Sequence, residues 1–202
     1  QMLVQRGFRV IRHDNRDAGL SQGFDGHAMP SVLMAAVRQR MRLRVSSPYR
    51  LSDMADDAIG VLDALGIERA HIVGASMGGM IAQHMAARHP RRVRSLTLIM
   101  TSSGARGLPQ APARVQRVLM SRPAQGDAAD VMAHMQHVVS VIGSPHYPPD
   151  AERLRQRLQA SYARAYRPAG TARQLVAIIA DGDRSPLLRG IVAPTRIIHG
   201  EL

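Results

Sequence analysis

In the stretch "HIVGASMGGMIAQHMAARHP" (His71 to Pro90) one serine has a glycine two residues before it and another two after it: Gly74-Ala75-Ser76-Met77-Gly78. A serine hydroxyl in this setting can attack an acyl carbon. To do so it must stand at the top of a sharp strand-to-helix turn, in strained backbone geometry. The residues two before and two after then come too close for side chains, which calls for glycine at both Gly74 and Gly78. The helix starts at the serine, and its unpaired N–H groups face the charge that develops on the carbonyl oxygen. The Met77 N–H is the expected donor to that oxyanion. A plainer use of the same residues is packing, with Gly78, Gly79 and Ala82 letting a helix lie close to a sheet. Two phosphate-binding readings fail. Gly74 to Gly79 does not fit G-x-G-x-x-G, and a P-loop needs a lysine, which this chain lacks.

A nucleophilic serine also needs a base to take its proton and an acid to orient that base. His71 begins the strand leading to Ser76 and so lies a strand's length away. His84 is two turns into the following helix and points away from the turn, and His89 is at that helix's far end. His134, His137 and His146 fall in a later helical region. His134 and His137 are three apart, but no carboxylate accompanies them, so no metal site is expected. No cysteine is present, which excludes disulfides and thiolate sites. No cofactor is expected.

The elements that must position Ser76 follow from periodicity and punctuation. "FRVIRHD" (Phe8 to Asp14) reads as a buried strand. "PSVLMAAVRQRMRLR" (Pro30 to Arg44) reads as a basic amphipathic helix, a solvated surface helix rather than a membrane-surface one. "LSDMADDAIGVLDALGI" reads as a helix capped by Ser52 and stopped by Gly66, with Met54, Ala58, Val61, Leu62 and Leu65 on one face. "RAHIVGA" is the next strand, and the helix after Ser76 runs to Pro90. "VRSLTLIM" (Val93 to Met100) and "PTRIIHG" (Pro194 to Gly200) are further strands. Between them lies a helical region, roughly Ala113 to Ile179, broken at "RPAQGD", "GSPHYPPD" and "RPAG". Strands alternating with helices argue a mostly parallel α/β sheet with flanking helices, interrupted by one helical insertion.

The chain has 202 residues, 45% of them apolar, and a formal charge of +12 carried entirely by arginine. This is a globular composition with no apolar run long enough to span a membrane. The arginines are spread from Arg6 to Arg196, and only four Tyr and two Phe are present. A base-stacking nucleic-acid platform is therefore poorly supplied. No nucleic-acid or membrane partner is expected, the default location is cytoplasmic, and the oligomeric state is open.

With these residues in place, the chain resembles the α/β-hydrolase fold family, in its small bacterial esterase branch (aclacinomycin methylesterase-like). The resemblance rests on "FRVIRHDNRDAGLS", the run from Tyr49 to Gly104, and "PTRIIHG". It implies that Asp14, Arg16, Gly19 and Ser21 belong to a D-x-R-G-x-G-x-S loop, mainly structural, with Asp17 where that pattern has glycine. It implies an α/β-hydrolase core over residues 1–103, a helical cap over 104–189 carrying Met120, Met132 and Met135, and the core again over 190–202. The expected activity is hydrolysis of a small apolar carboxylic ester, as substrate and small-molecule partner, through an acyl-enzyme at Ser76. A non-catalytic, ligand-binding or degenerate relative is the alternative. Gln1 and "HGEL" read as cut ends. The resemblance puts the acid and base beyond Leu202 and the second oxyanion donor before Gln1, so the chain alone is expected to be inactive. A further strand is implied between "FRVIRHD" and "RAHIVGA". Without it those two either leave a gap or pair directly.

Overall fold

The computed structural model describes residues 2–109 and 111–200. Three strands, β1 (Ala70–Ala75), β2 (Val93–Ile99) and β3 (Thr195–Ile198), form one parallel sheet in the order β1-β2-β3. The register places Ile72 opposite Leu96, Gly74 opposite Leu98, and Leu98 opposite Ile197. In β2 the apolar residues Val93, Leu96 and Leu98 are buried, while Arg94 is exposed. This is the burial expected of a central strand covered by helix.

The cover comes from α3 (Leu51–Ala64) and α4 (Met77–Arg88). Leu51, Met54, Ala55 and Ile59 of α3 join Ile81, Ala82, Met85 and Ala86 of α4 in the main core, with Leu96 and Leu98 beneath. Full burial of each large side chain contributes about 1.5–3 kcal/mol. α3 buries a face rotated from the expected one: Leu65 is 41% exposed, whereas Leu51 and Ile59 are buried. Its N-cap is Arg50 rather than Ser52, and the Asp53 carboxylate accepts the Arg50 N–H at 2.8 Å. Its C-terminus closes as expected at Gly66, which has φ 64°. There Ile67 N–H donates to the Leu62 carbonyl (2.8 Å) and Gly66 N–H to that of Asp63 (3.0 Å), a Schellman pairing.

A short helix, α1 (Met2–Gln5), opens the described residues, and α2 covers Val32–Arg40, shorter than the expected Pro30–Arg44. The helical region after β2 divides into α5 (Ala113–Met120), α6 (Ala128–Ile142), α7 (Ala151–Arg164) and α8 (Pro168–Asp181). Asp127 and Asp150 cap α6 and α7, and Pro168 opens α8 at its first position. Across α5, α6 and α7 Val131 alone is buried among the described residues. α8 instead buries Ala177 in the main core, and its Ala172 and Val176 pack on Val32 and Ala35 of α2.

Phe8 to Asp14 is not a strand. It has no ladder partner, and Phe8, Val10 and Ile11 are exposed. β1 pairs with β2 on one side only among the described residues, so β1 and the Phe8 to Asp14 segment do not pair directly. Phe8 still reaches β1, its ring edge-on to His71 at 6.3 Å. Apolar alternation marks a segment fit for a sheet, but a strand exists only where a neighbour takes up its N–H and C=O groups.

Candidate active site

Ser76 follows directly on β1 and caps α4, with φ 51° and ψ −120°. This is a left-handed conformation rare for a residue with a Cβ, and it costs about 1–3 kcal/mol. Four hydrogen bonds hold it. The Ser76 N–H donates to the Ile99 carbonyl (2.9 Å), continuing the β1–β2 ladder. The Ser76 carbonyl accepts from Gly79 N–H (2.9 Å) and Met80 N–H (3.2 Å), the start of α4, and from the Thr101 hydroxyl (2.9 Å). The side chain is exposed and makes no hydrogen bond among the described residues. Met77 N–H, first in α4, likewise has no acceptor among them, as expected of an orphan N–H at a helix start.

The glycines divide the steric work differently from the sequence expectation. A Cβ on Gly74 would overlap the Gly78 carbonyl, and one on Gly79 would meet the Thr101 side chain at 2.6 Å. A Cβ on Gly78 would point into open space. The close approach is between the Gly74 Cα and the Gly78 backbone, so Gly78 contributes its carbonyl to the contact while its own Cβ direction stays free.

No histidine hydrogen bonds Ser76 among the described residues. His71 Nδ1 lies 2.7 Å from the Ser95 hydroxyl, His89 Nε2 2.8 Å from Asp56, and His199 Nδ1 3.1 Å from the Gly200 carbonyl. His84 is buried, with Nε2 3.0 Å from the Asp181 carboxylate and Nδ1 without a partner among the described residues. Arg184, buried, bridges Asp181 (2.7 Å), Gln83 (2.8 Å) and the Ser102 carbonyl (3.0 Å). Burial pushes the Asp181 carboxyl up, but its bonds to His84 and Arg184 outweigh that and leave it below the usual range.

A second buried polar centre lies in the loop from Asp14 to Ser21. Asp17 has φ 68°, a conformation that glycine adopts without strain. Its carboxylate accepts two bonds from Arg173 of α8, one from the Tyr49 hydroxyl (2.9 Å) and one from Phe24 N–H (3.0 Å). Arg173 also donates to the His27 carbonyl (2.9 Å). Burial raises the Asp17 carboxyl, but Arg173, Phe24 N–H and Tyr49 together hold it at about 2. Burial and the bond to Asp17 push the Tyr49 phenol far above its ordinary value. Sequence reading missed this centre. The signals were an acid where the resembling pattern has glycine, and an arginine within the apolar run "TARQLVAII". Elsewhere in the loop, Asp14 accepts Leu20 N–H (3.0 Å) and Arg16 pairs with Asp57 (2.6 and 2.7 Å), consistent with the structural role expected of it.

Two cavities flank these elements. One, of 460 Å³, lies among α2, α5, α6, α7 and α8, is mostly apolar and is lined by Met120 and Met135 but not Met132. The other, of 1290 Å³, runs between the chain after α2 and the loop after β2 and reaches Met80 of α4. Ser76 lines neither. Among the described residues no group of three or more His, Asp or Glu is placed to hold a metal ion, and no helix is long and apolar enough to cross a membrane.

Comparison with known proteins agrees with the fold. Rhodomycin D methylesterase DauP of Streptomyces sp. (strain C5) is 33% identical over 100 residues, half of this chain and 28% of that protein. A 2-hydroxymuconate semialdehyde hydrolase of Pseudomonas sp. (strain CF600) is 55% identical over 56 residues, 28% of this chain and 19% of that protein. The crystal structure of a hydrolase from Pseudomonas aeruginosa PA01 superposes over 98% of this chain and 64% of its own, with a TM-score of 0.58 and 27% identity. The chain therefore spans under two thirds of each of these three proteins. The family model for the alpha/beta hydrolase fold matches residues 2–202, and the chain belongs to the α/β-hydrolase fold family.

Proposed function

We propose that the protein carrying this chain is a serine hydrolase that cleaves a small apolar carboxylic ester through an acyl-enzyme on Ser76. The observation that carries the reading is the exposed Ser76 in its left-handed conformation at the junction of β1 and α4. Strain at this position is sustained by the bonds to Ile99, Gly79, Met80 and Thr101 and presents the hydroxyl clear of the sheet. In the proposed reaction the Ser76 oxygen attacks the ester carbonyl, and its proton passes to a general base. The Met77 N–H donates to the oxyanion, the alcohol leaves with a proton, and water then releases the acid. A relative named as a methylesterase supports a methyl or similarly small ester as substrate.

The histidines placed among the described residues are engaged elsewhere or make no bond to Ser76, so we assign the base to none of them. Residues 1–202 alone are accordingly expected to show no Ser76-dependent turnover. The test is p-nitrophenyl butyrate hydrolysis by the protein containing this chain, wild type against Ser76→Ala. A loss of at least about 1,000-fold is expected, since triad members act as a unit. Full activity in Ser76→Ala would overturn the assignment. Ser76-dependent turnover by residues 1–202 would overturn only the expected inactivity.

A further inference from the structure

We propose that the 1290 Å³ cleft between the chain after α2 and the loop after β2 binds a small anion carrying two or more phosphate or carboxylate groups. Six arginines line it: Arg40, Arg42, Arg44, Arg50, Arg106 and Arg184. Arg184 is engaged by Asp181. The other five make no ion pair among the described residues, and they line one cleft together. The two acids of the cleft do not neutralise the five. Asp181 is already shared between His84 and Arg184. Asp183 accepts Ser185 N–H at 2.8 Å, and it attracts Arg106 without pairing with it. Like charges gathered without counter-charges repel, and a bound polyanion relieves that repulsion.

The site is shaped from both sides. α2 ends in a Schellman turn, with Leu43 N–H donating to Arg38 (2.8 Å) and Arg42 N–H to Gln39 (3.0 Å). Its left-handed position, φ 60°, is filled by Arg42 rather than the glycine such turns favour. That turn sends Arg42 and Arg44 out along the segment beyond the helix and ends the expected helix early. Opposite, Arg184 is held by Gln83 and the Ser102 carbonyl, and a Cβ on Gly104 would overlap the Gly182 carbonyl, so the wall is tightly set. Guanidinium groups pair in forked fashion with phosphate and carboxylate oxygens, which fixes the ligand class. The lining holds no Phe, Tyr or Trp among the described residues, which favours a small anion over single-stranded nucleic acid. Nothing here depends on the role of Ser76.

Calorimetric titration of the protein containing this chain with pyrophosphate and, separately, citrate at low ionic strength tests the site. The tighter ligand identifies the preferred group. At least one is expected to bind, more weakly as NaCl is raised, with affinity reduced tenfold or more in R42Q/R44Q and in R106Q. All three arginines are exposed, so folding, checked by circular dichroism, is expected to be unchanged. The exposed pair in R153Q/R157Q on α7 is the control, and it is expected to leave binding intact. Failure of both anions to bind, an equal loss in the α7 control, or a 12-nucleotide single strand that neither anion displaces would each overturn the proposal.

Discussion

The carbonyl of Gly78 occupies the space where a side chain on Gly74 would lie, while the Cβ direction of Gly78 itself is open. The two glycines flanking Ser76 are therefore not equivalent. Gly74→Ala is expected to destabilise by about 3 kcal/mol or more, because the obstacle is backbone and cannot rotate away. Gly78→Ala sits inside α4 and is expected to stabilise by about 0.5–1 kcal/mol. Urea unfolding of both variants checks the contrast, and equal midpoints would refute it.

Ser76 holds its conformation at a cost that glycine does not bear. Ser76→Gly is expected to raise stability by about 1 kcal/mol, and Ser76→Ala to leave it within about 0.5 kcal/mol, since alanine keeps the Cβ. Thermal melts separate the two. A Ser76→Gly variant melting at or below wild type would show that the turn carries no strain.

The Asp17–Arg173 pair predicts an acid-side stability profile. The folded carboxyl titrates at about 2, below the ordinary value near 4. A depressed carboxylate contributes stability that is present above the unfolded value and lost as pH falls through the folded one. Wild type is thus expected to lose about 2 kcal/mol from this group between pH 4.5 and pH 2. In Arg173→Met that loss is expected to vanish, and stability at pH 7 to fall by about 3–5 kcal/mol because a charge is left buried without its partner. Urea unfolding at stepped pH measures both. An unchanged acid slope in Arg173→Met would count against the pairing.

Gly170 lies inside α8, where alanine is normally the better helix former by about 1 kcal/mol. A Cβ there would overlap the Asp17 carbonyl. Gly170→Ala is therefore expected to destabilise despite its propensity gain, by about 1–3 kcal/mol. A higher melting temperature in this variant would show that the loop yields to the added methyl.

What was legible in the chain was local. The turn at Ser76, the Schellman stop at Gly66 and the breaks around Arg122 to Asp127 and Gly143 to Asp150 depend on residues a few positions apart. Their steric and hydrogen-bonding demands are written in neighbouring residue types. The alternation of strands and helices, and with it the fold class, followed from the same short-range periodicities.

Tertiary structure decided everything that needed a distant partner. Asp17 meets Arg173 across 156 positions and His84 meets Asp181 across 97, contacts that no spacing rule encodes. Phe8 to Asp14 has the pattern of a strand without a ladder to join, because a strand is a property of two segments. Gly74, not Gly78, bears the close approach, because which Cβ collides depends on how α4 leaves the sheet. The sequence by itself determined that a serine would stand at a strand-to-helix turn. Only the packing of helices on the sheet determined which arginines, aspartates and histidines are buried together and which are left facing an open cleft, since burial and pairing arise from the arrangement in space.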